Sequence, residues 1–207
     1  MFIADTANHL IRKLSASVVS TVAGTAGTSG WSPDGQALQG TLLSSPSAIV
    51  MSPDGASVYW SETGTCIIRK LDLATSTVST VAGAPRGCSC GVTGPAFASQ
   101  FGAGGPLGLA FWGNDMIIAD SGCHSIKQYR ALSSTVSLLA GSATGSTSSS
   151  DGPYLAGGGF NSPRGLAIDP SGDIYVADYV SLEGNRAVPP SFSMVFHEFP
   201  LIPASIG

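Results

Sequence analysis

The sequence predicts an all-β fold of repeated four-stranded antiparallel units, on three observations: composition, an internal period and turn chemistry at fixed offsets. Of 207 residues, 27 are glycine and 13 proline, both poor in helix interiors. Apolar residues make up 43% and charged residues 11%, so a buried core is easily supplied. The acidic residues Asp5, Glu62, Asp120 and Asp178 recur at steps of 57, 58 and 58. Each closes a short apolar run: Phe2-Ile3-Ala4, Tyr59-Trp60-Ser61, Ile117-Ile118-Ala119 and Tyr175-Val176-Ala177.

Two further landmarks keep the same register. Val22-Ala23-Gly24, Val81-Ala82-Gly83 and Leu139-Ala140-Gly141 step by 59 and 58. A strand-entry proline recurs as Pro46, Pro106 and Pro163.

Each unit resolves into four strands. The first is a small-residue run, Gly108 to Phe111 or Gly165 to Ile168. It ends in a turn, Ser52-Pro53-Asp54-Gly55 or Asp169-Pro170-Ser171-Gly172, where proline presets φ and glycine accepts a positive φ. The second strand runs to the acidic landmark. The third covers Leu10 to Leu14, Ile67 to Leu71 or Ile126 to Arg130. The fourth is the β-branched run Val18 to Ala23, Thr77 to Ala82 or Thr135 to Ala140. Four antiparallel strands repeated radially make the blade of a β-propeller.

The blades fall at about 1–45, 46–105, 106–162 and 163–179, an open, partial propeller of about three to three and a half blades. Residues 180–207 are expected to be a non-repeat, irregular tail. At Val180-Ser181 the pattern breaks, and GTAAGT or GTGAGT, which can encode that dipeptide, resembles a splice donor; the tail is read as translated intron, with a real short strand pairing with the open edge as the alternative.

Ala4-Asp5-Thr6-Ala7-Asn8-His9-Leu10-Ile11-Arg12-Lys13 resembles the motif that names NHL repeats, in a variety with long loops between blades. The resemblance covers residues 2 to 179 and implies the propeller fold. It implies no single activity, because propellers host binding modules and enzymes alike. The second unit has Thr65-Cys66-Ile67 and the third Cys123-His124-Ser125 at the Asn-His-Leu position. His9 and His124 are therefore read as turn residues that buttress a blade. The acidic landmarks are read as acceptors for backbone N–H groups of the following turn. One charge of each basic pair, Arg12-Lys13 and Arg69-Lys70, is expected to lie on a solvated edge.

The net charge is −4 with nine basic residues, which disfavours nucleic acid. No apolar run reaches the ~18 residues of a membrane span. Asp5 and Arg12 interrupt the region of a secretory signal, and Met1 falls within a repeat unit, so the compartment is left open. Cys66, Cys88, Cys90 and Cys123 lack zinc-site spacing and are expected at the surface, free or loosely bonded, with three pairings open. No metal, cofactor or catalytic residue is expected.

The loops Gly24 to Ser45, Gly83 to Gly105 and Gly141 to Ser162 exceed the usual length, and long loops carry function. Leu43 and Phe160, each three residues before an entry proline, suit plugs packed onto the blade. Trp31, Arg86 and Tyr154 have no repeat counterpart and are the candidate binding residues, since aromatic and Arg side chains dominate recognition. A recognition or scaffold module for protein or another ligand is the expected function, with self-association through exposed blade edges. The alternatives are a propeller enzyme of the peptidyl-hydroxyglycine lyase type with a channel metal, and an RNA-binding module. The first-strand segments Ser47 to Met51, Leu107 to Phe111 and Arg164 to Ile168 carry no His or carboxylate for such a channel.

Overall fold

In the computed structural model, residues 1–35, 40–85, 87–91, 93–148 and 159–179 are described, with the backbone of 193–197. Blade I comprises β1 (Phe2–Asp5), β2 (Leu10–Ser15) and β3 (Val18–Ala23). Blade II comprises β4 (Pro46–Met51), β5 (Ser57–Glu62), β6 (Ile67–Asp72) and β7 (Thr77–Ala82). A two-residue strand, β8 (Gly94–Pro95), precedes blade III, which is β9 (Pro106–Trp112), β10 (Asp115–Asp120), β11 (Ser125–Arg130) and β12 (Thr135–Gly141). Blade IV holds β13 (Pro163–Ile168), β14 (Ile174–Asp178) and β15 (Ser193–His197). Within each blade, neighbouring strands pair antiparallel. The sheets do not close into a ring, and the architecture is a partial propeller.

Turn chemistry sets these hairpins locally. Asp169 accepts the backbone N–H groups of Ser171, Gly172 and Asp173, each at 2.9 Å, and so closes the turn between β13 and β14. These bonds to its charged form hold the Asp169 carboxyl below the usual aspartate range. Asp72 does the same between β6 and β7, accepting from Ala74 at 3.0 Å and Thr75 at 2.9 Å. Ala16 and Ser17, at φ 48° and 64°, form the two-residue turn between β2 and β3.

Strand alternation decides the packing between blades. Trp60 and Ile118 face the preceding blade, whereas Tyr59 and Ile117, one residue earlier, face the following one. Three cores result. Trp60, Leu71 and Val78 pack with Ile11, Ala23 and Leu43 between blades I and II. Ile68 and Phe101 meet Met116 and Ile118 between II and III, where the Tyr59 and Phe111 rings stand edge to face at 5.2 Å. Ile117, Ile126 and Phe160 meet Ile174 and Val176 between III and IV. The entry strands β4, β9 and β13 lie side by side.

The recurring Val-Ala-Gly landmark has a steric cause. Gly24, Gly83 and Gly141 hold φ of 102°, 99° and 86°. A Cβ there would run into the carbonyl oxygen at the Asn-His-Leu turn: His9 for Gly24, Cys66 at 2.7 Å for Gly83, and His124 at 2.6 Å for Gly141.

Most of the tail expected to be irregular lies outside the described residues. Ser193–His197 pairs with β14 in the place of a third strand, from Ile174↔His197 to Asp178↔Ser193. The second strand of a blade offers a row of N–H and C=O groups, and any extended segment within reach can satisfy them.

Candidate functional site on the long loops

The loops that join one blade to the next are straps fastened across the following blade. In the first, Gly35 N–H donates to Val78 O on β7 at 2.9 Å. Asp34 Oδ1 accepts from Thr80 N–H at 2.8 Å and from the Thr80 hydroxyl at 2.9 Å. In the second, β8 pairs antiparallel with β12 and adds a fifth strand to blade III. Both straps cover an edge strand that would otherwise be open to another chain.

Charges of the third strand anchor the straps, while the other member of each basic pair stays toward solvent, with Lys13 exposed and Lys70 half-exposed. Arg69 is fully buried, and its Nη1 donates to Ser32 O at 3.0 Å and Thr80 Oγ1 at 3.2 Å, with Asp34 Oδ1 at 3.7 Å. Lys127, the equivalent in blade III, is 2% exposed; its Nζ donates to Gln100 O at 2.7 Å and pairs with Asp120 at 2.7 Å. Strand alternation turns Arg69 and Lys127 toward the preceding blade, whose strap closes over them. Burial pulls the Arg69 guanidinium below its ordinary value, with Glu62 and Asp34 opposing that shift.

The acidic landmarks also hold straps. Glu62 is fully buried and accepts from Ser44 N–H at 3.1 Å, Thr65 Oγ1 at 3.0 Å and Trp60 Nε1 at 3.2 Å. Asp120 accepts from Gly102 N–H at 3.0 Å, and both Asp178 oxygens accept from Asn161 N–H at 2.9 Å. The incoming strap supplies a backbone donor to each of these three, and the following turn adds the Thr65 hydroxyl at Glu62 and the Cys123 N–H at Asp120. Asp5 is the exception, bonded to Asn8 Nδ2 at 2.9 Å in its own turn. Burial raises the carboxyls of Glu62, Asp120 and Asp178 above their ordinary values.

His9 and His124 buttress the straps. Both stand in the left-handed region, at φ 57° and 53°. His9 Nδ1 accepts from Ser45 N–H at 3.1 Å, and His124 Nδ1 accepts from Ser162 N–H at 3.0 Å. Leu43 and Phe160 are buried plugs at 0% and 1% exposure. Phe101, at 0%, is a third plug whose offset from its entry proline hid it in the sequence.

The cysteines are not loose surface thiols. Cys66 bonds Cys88 and Cys90 bonds Cys123, each across 5.4 Å between Cα atoms, and Cys66 and Cys123 are buried.

Of the candidate binding residues, Arg86 and Tyr154 lie outside the described residues. Trp31 is half-buried at the start of the first strap, and its buried Nε1 has no hydrogen-bond partner among the described residues. Phe97, on the second strap, is 60% exposed. Its neighbours Ala96, Ser99 and Phe101 are buried, so the strap folds inward around one outward ring.

A family profile for the NHL repeat matches residues 160–182. No curated protein matches the chain by sequence. Among solved structures, the chain resembles an auxiliary nutrient binding protein from Bacteroides thetaiotaomicron, at TM-score 0.65 and 17% identity over 86% of this chain and 42% of that one. It also resembles a nidogen/laminin complex chain, at TM-score 0.52 and 14% identity over 86% of this chain and 50% of that one. Virginiamycin B lyase from Staphylococcus aureus is similar at TM-score 0.51 and 13% identity, over 86% of this chain and 44% of that one. At these identities the likeness concerns the fold, and this chain spans less than half of the nutrient binding protein. No helix among the described residues is long and apolar enough to cross a membrane. The profile match at residues 160–182, the turn geometry at His9 and His124 and the blade-by-blade sheets agree: the chain carries an NHL-type repeat within an open β-propeller architecture.

Proposed function

We propose that the chain is a recognition module that binds protein or another ligand through the surface of its interblade loops. The observation that carries this reading is that the described parts of the first two straps are fixed by Arg69, Lys127, Asp34 and two disulfides, and the second holds Phe97 outward. A rigid loop with an exposed aromatic loses little conformational freedom on binding, which favours affinity. Trp31, Arg86 and Tyr154 are proposed to extend this surface. Binding proteins among structures of this fold are in keeping with the reading.

The test compares partner capture by the wild type with capture by a Trp31→Ser, Arg86→Ser, Tyr154→Ser variant. Capture should fall at least tenfold, while Tm drops by only a few degrees because Trp31 is half-buried, an effect on the order of 1 kcal/mol. Equal capture by both proteins would remove these residues from the surface. Stoichiometric zinc or calcium retained through dialysis would instead favour the lyase-type reading.

A further inference from the structure

The same backbone position carries a different chemistry in blade II. His9, Cys66 and His124 are equivalent and share the left-handed conformation, at φ 57°, 56° and 53°. The residues before the entry prolines match as well: Ser45, Gly105 and Ser162 hold φ of 51°, 67° and 64°. In blades I and III an imidazole Nδ1 accepts the N–H of that residue. In blade II the Gly105 N–H goes to Gly102 O at 2.8 Å, and sulfur is too weak an acceptor to replace imidazole. Blade II therefore lacks the hydrogen-bonded latch that its neighbours use.

A covalent latch stands in its place. Cys66 is bonded to Cys88, and Cys90 to Cys123, the residue before His124. The three-residue segment Cys88-Ser89-Cys90 is thus tied to the same turn in two consecutive blades. Ser89 N–H donates to Phe101 O at 3.0 Å, which holds this segment against the plug.

We propose that Cys88-Ser89-Cys90 is a site of oxidative modification, and that the chain acquires this strap in a thiol-oxidising compartment. Structural disulfides form and persist in such compartments, while cytosolic thiols are kept reduced. The chemistry is thiol–disulfide exchange with a disulfide-form oxidant, either glutathione disulfide or a disulfide-bonded oxidoreductase. Cys88 is exposed, so its thiolate attacks the donor disulfide first, forming a mixed disulfide and releasing one donor thiol. The Cys66 thiolate then attacks the Cys88 sulfur and displaces the second donor thiol. Two protein thiols lose two electrons and two protons, and the donor is reduced by the same amount. Cys90 and Cys123 follow the same sequence.

The experiment uses the whole chain, produced in an oxidising secretory host, unfolded with iodoacetamide and weighed before and after reduction. No adduct is expected before reduction, and an adduct on each of the four cysteines afterwards. Peptide mapping should return the 66–88 and 90–123 links. Four free thiols, or a link between Cys88 and Cys90, would overturn the proposal. Reduction of the folded chain should lower Tm by about 5 °C or more. A Cys66→His, Cys88→Ser variant should retain more of that stability than Cys66→Ala, Cys88→Ser. Equal loss in both would show that the disulfide does not stand in for the imidazole latch.

Discussion

Glu62 shows how much a single buried carboxylate organises. Its two oxygens meet three donors, from the Ser44 backbone, the Thr65 hydroxyl and the Trp60 indole, and so join strap, turn and core at one point. Burial nonetheless disfavours its charge and raises its carboxyl above the ordinary 4.5, with the Arg69 charge the largest opposing influence. The folded chain therefore keeps this proton to higher pH than the unfolded chain does. The contribution of Glu62 is fully present below the ordinary glutamate value and is lost as pH rises through the folded value. Denaturant unfolding of wild type and Glu62→Gln should show this as a difference of slopes. The advantage of wild type over the variant is expected to grow as pH falls from 7 toward about 4.5. An advantage that shrinks over that range would contradict the assignment. Gln also turns an amide NH2 toward the three donors, so the variant should be less stable by about 1–3 kcal/mol at neutral pH.

The element that distinguishes this propeller is the strap, whose role depends on the outer strand that it crosses. On β7, Val78 O and Thr80 N–H point away from β6 and would be solvent-facing without the first strap; Gly35 and Asp34 take both. Asp34→Ala should release this edge. Removing an acceptor from a part-buried amide and hydroxyl costs about 1–2 kcal/mol, which predicts roughly tenfold faster hydrogen exchange at the Thr80 amide. Asp34→Asn keeps an acceptor oxygen and should restore most of the protection. Unchanged exchange in Asp34→Ala would mean that the strap does not guard β7.

The whole molecule has unequal edges. Val19, Val78 and Val136 are equivalent residues on the outer strands of blades I, II and III. Val78 and Val136 are 0% and 1% exposed in the cores between blades, whereas Val19 is 49% exposed and its neighbour Val18 is 64% exposed. An uncovered, β-branched edge strand is a template for pairing with another chain. The protein is therefore expected to self-associate as concentration rises, seen as a shifting sedimentation coefficient. Val19→Lys places a charge on that edge and should suppress the shift while leaving Tm nearly unchanged, since the side chain is already half in water. Association that is indifferent to Val19→Lys would place the contact elsewhere.

By itself the sequence determined the repeat, the strands and the turns, because each of these is local. A period of about 58 residues, alternation along a strand, and glycine or aspartate at a fixed turn position are written within a few neighbours of one another. The plugs Leu43 and Phe160 were legible for the same reason, from their fixed offset to an entry proline, while Phe101, at a different offset, was not. The tertiary structure decided where charge and sulfur go. Arg69 and Lys127 lie on strands whose pattern cannot say which face is covered, because the cover is a strap from the preceding blade, 37 residues away for Ser32 and 27 for Gln100. Four cysteines allow three pairings, and only the stacking of blade III on blade II brings Cys88 to Cys66 and Cys90 to Cys123. Side-chain direction is fixed by the local backbone, but a buried charge or a disulfide depends on which distant backbone arrives above it.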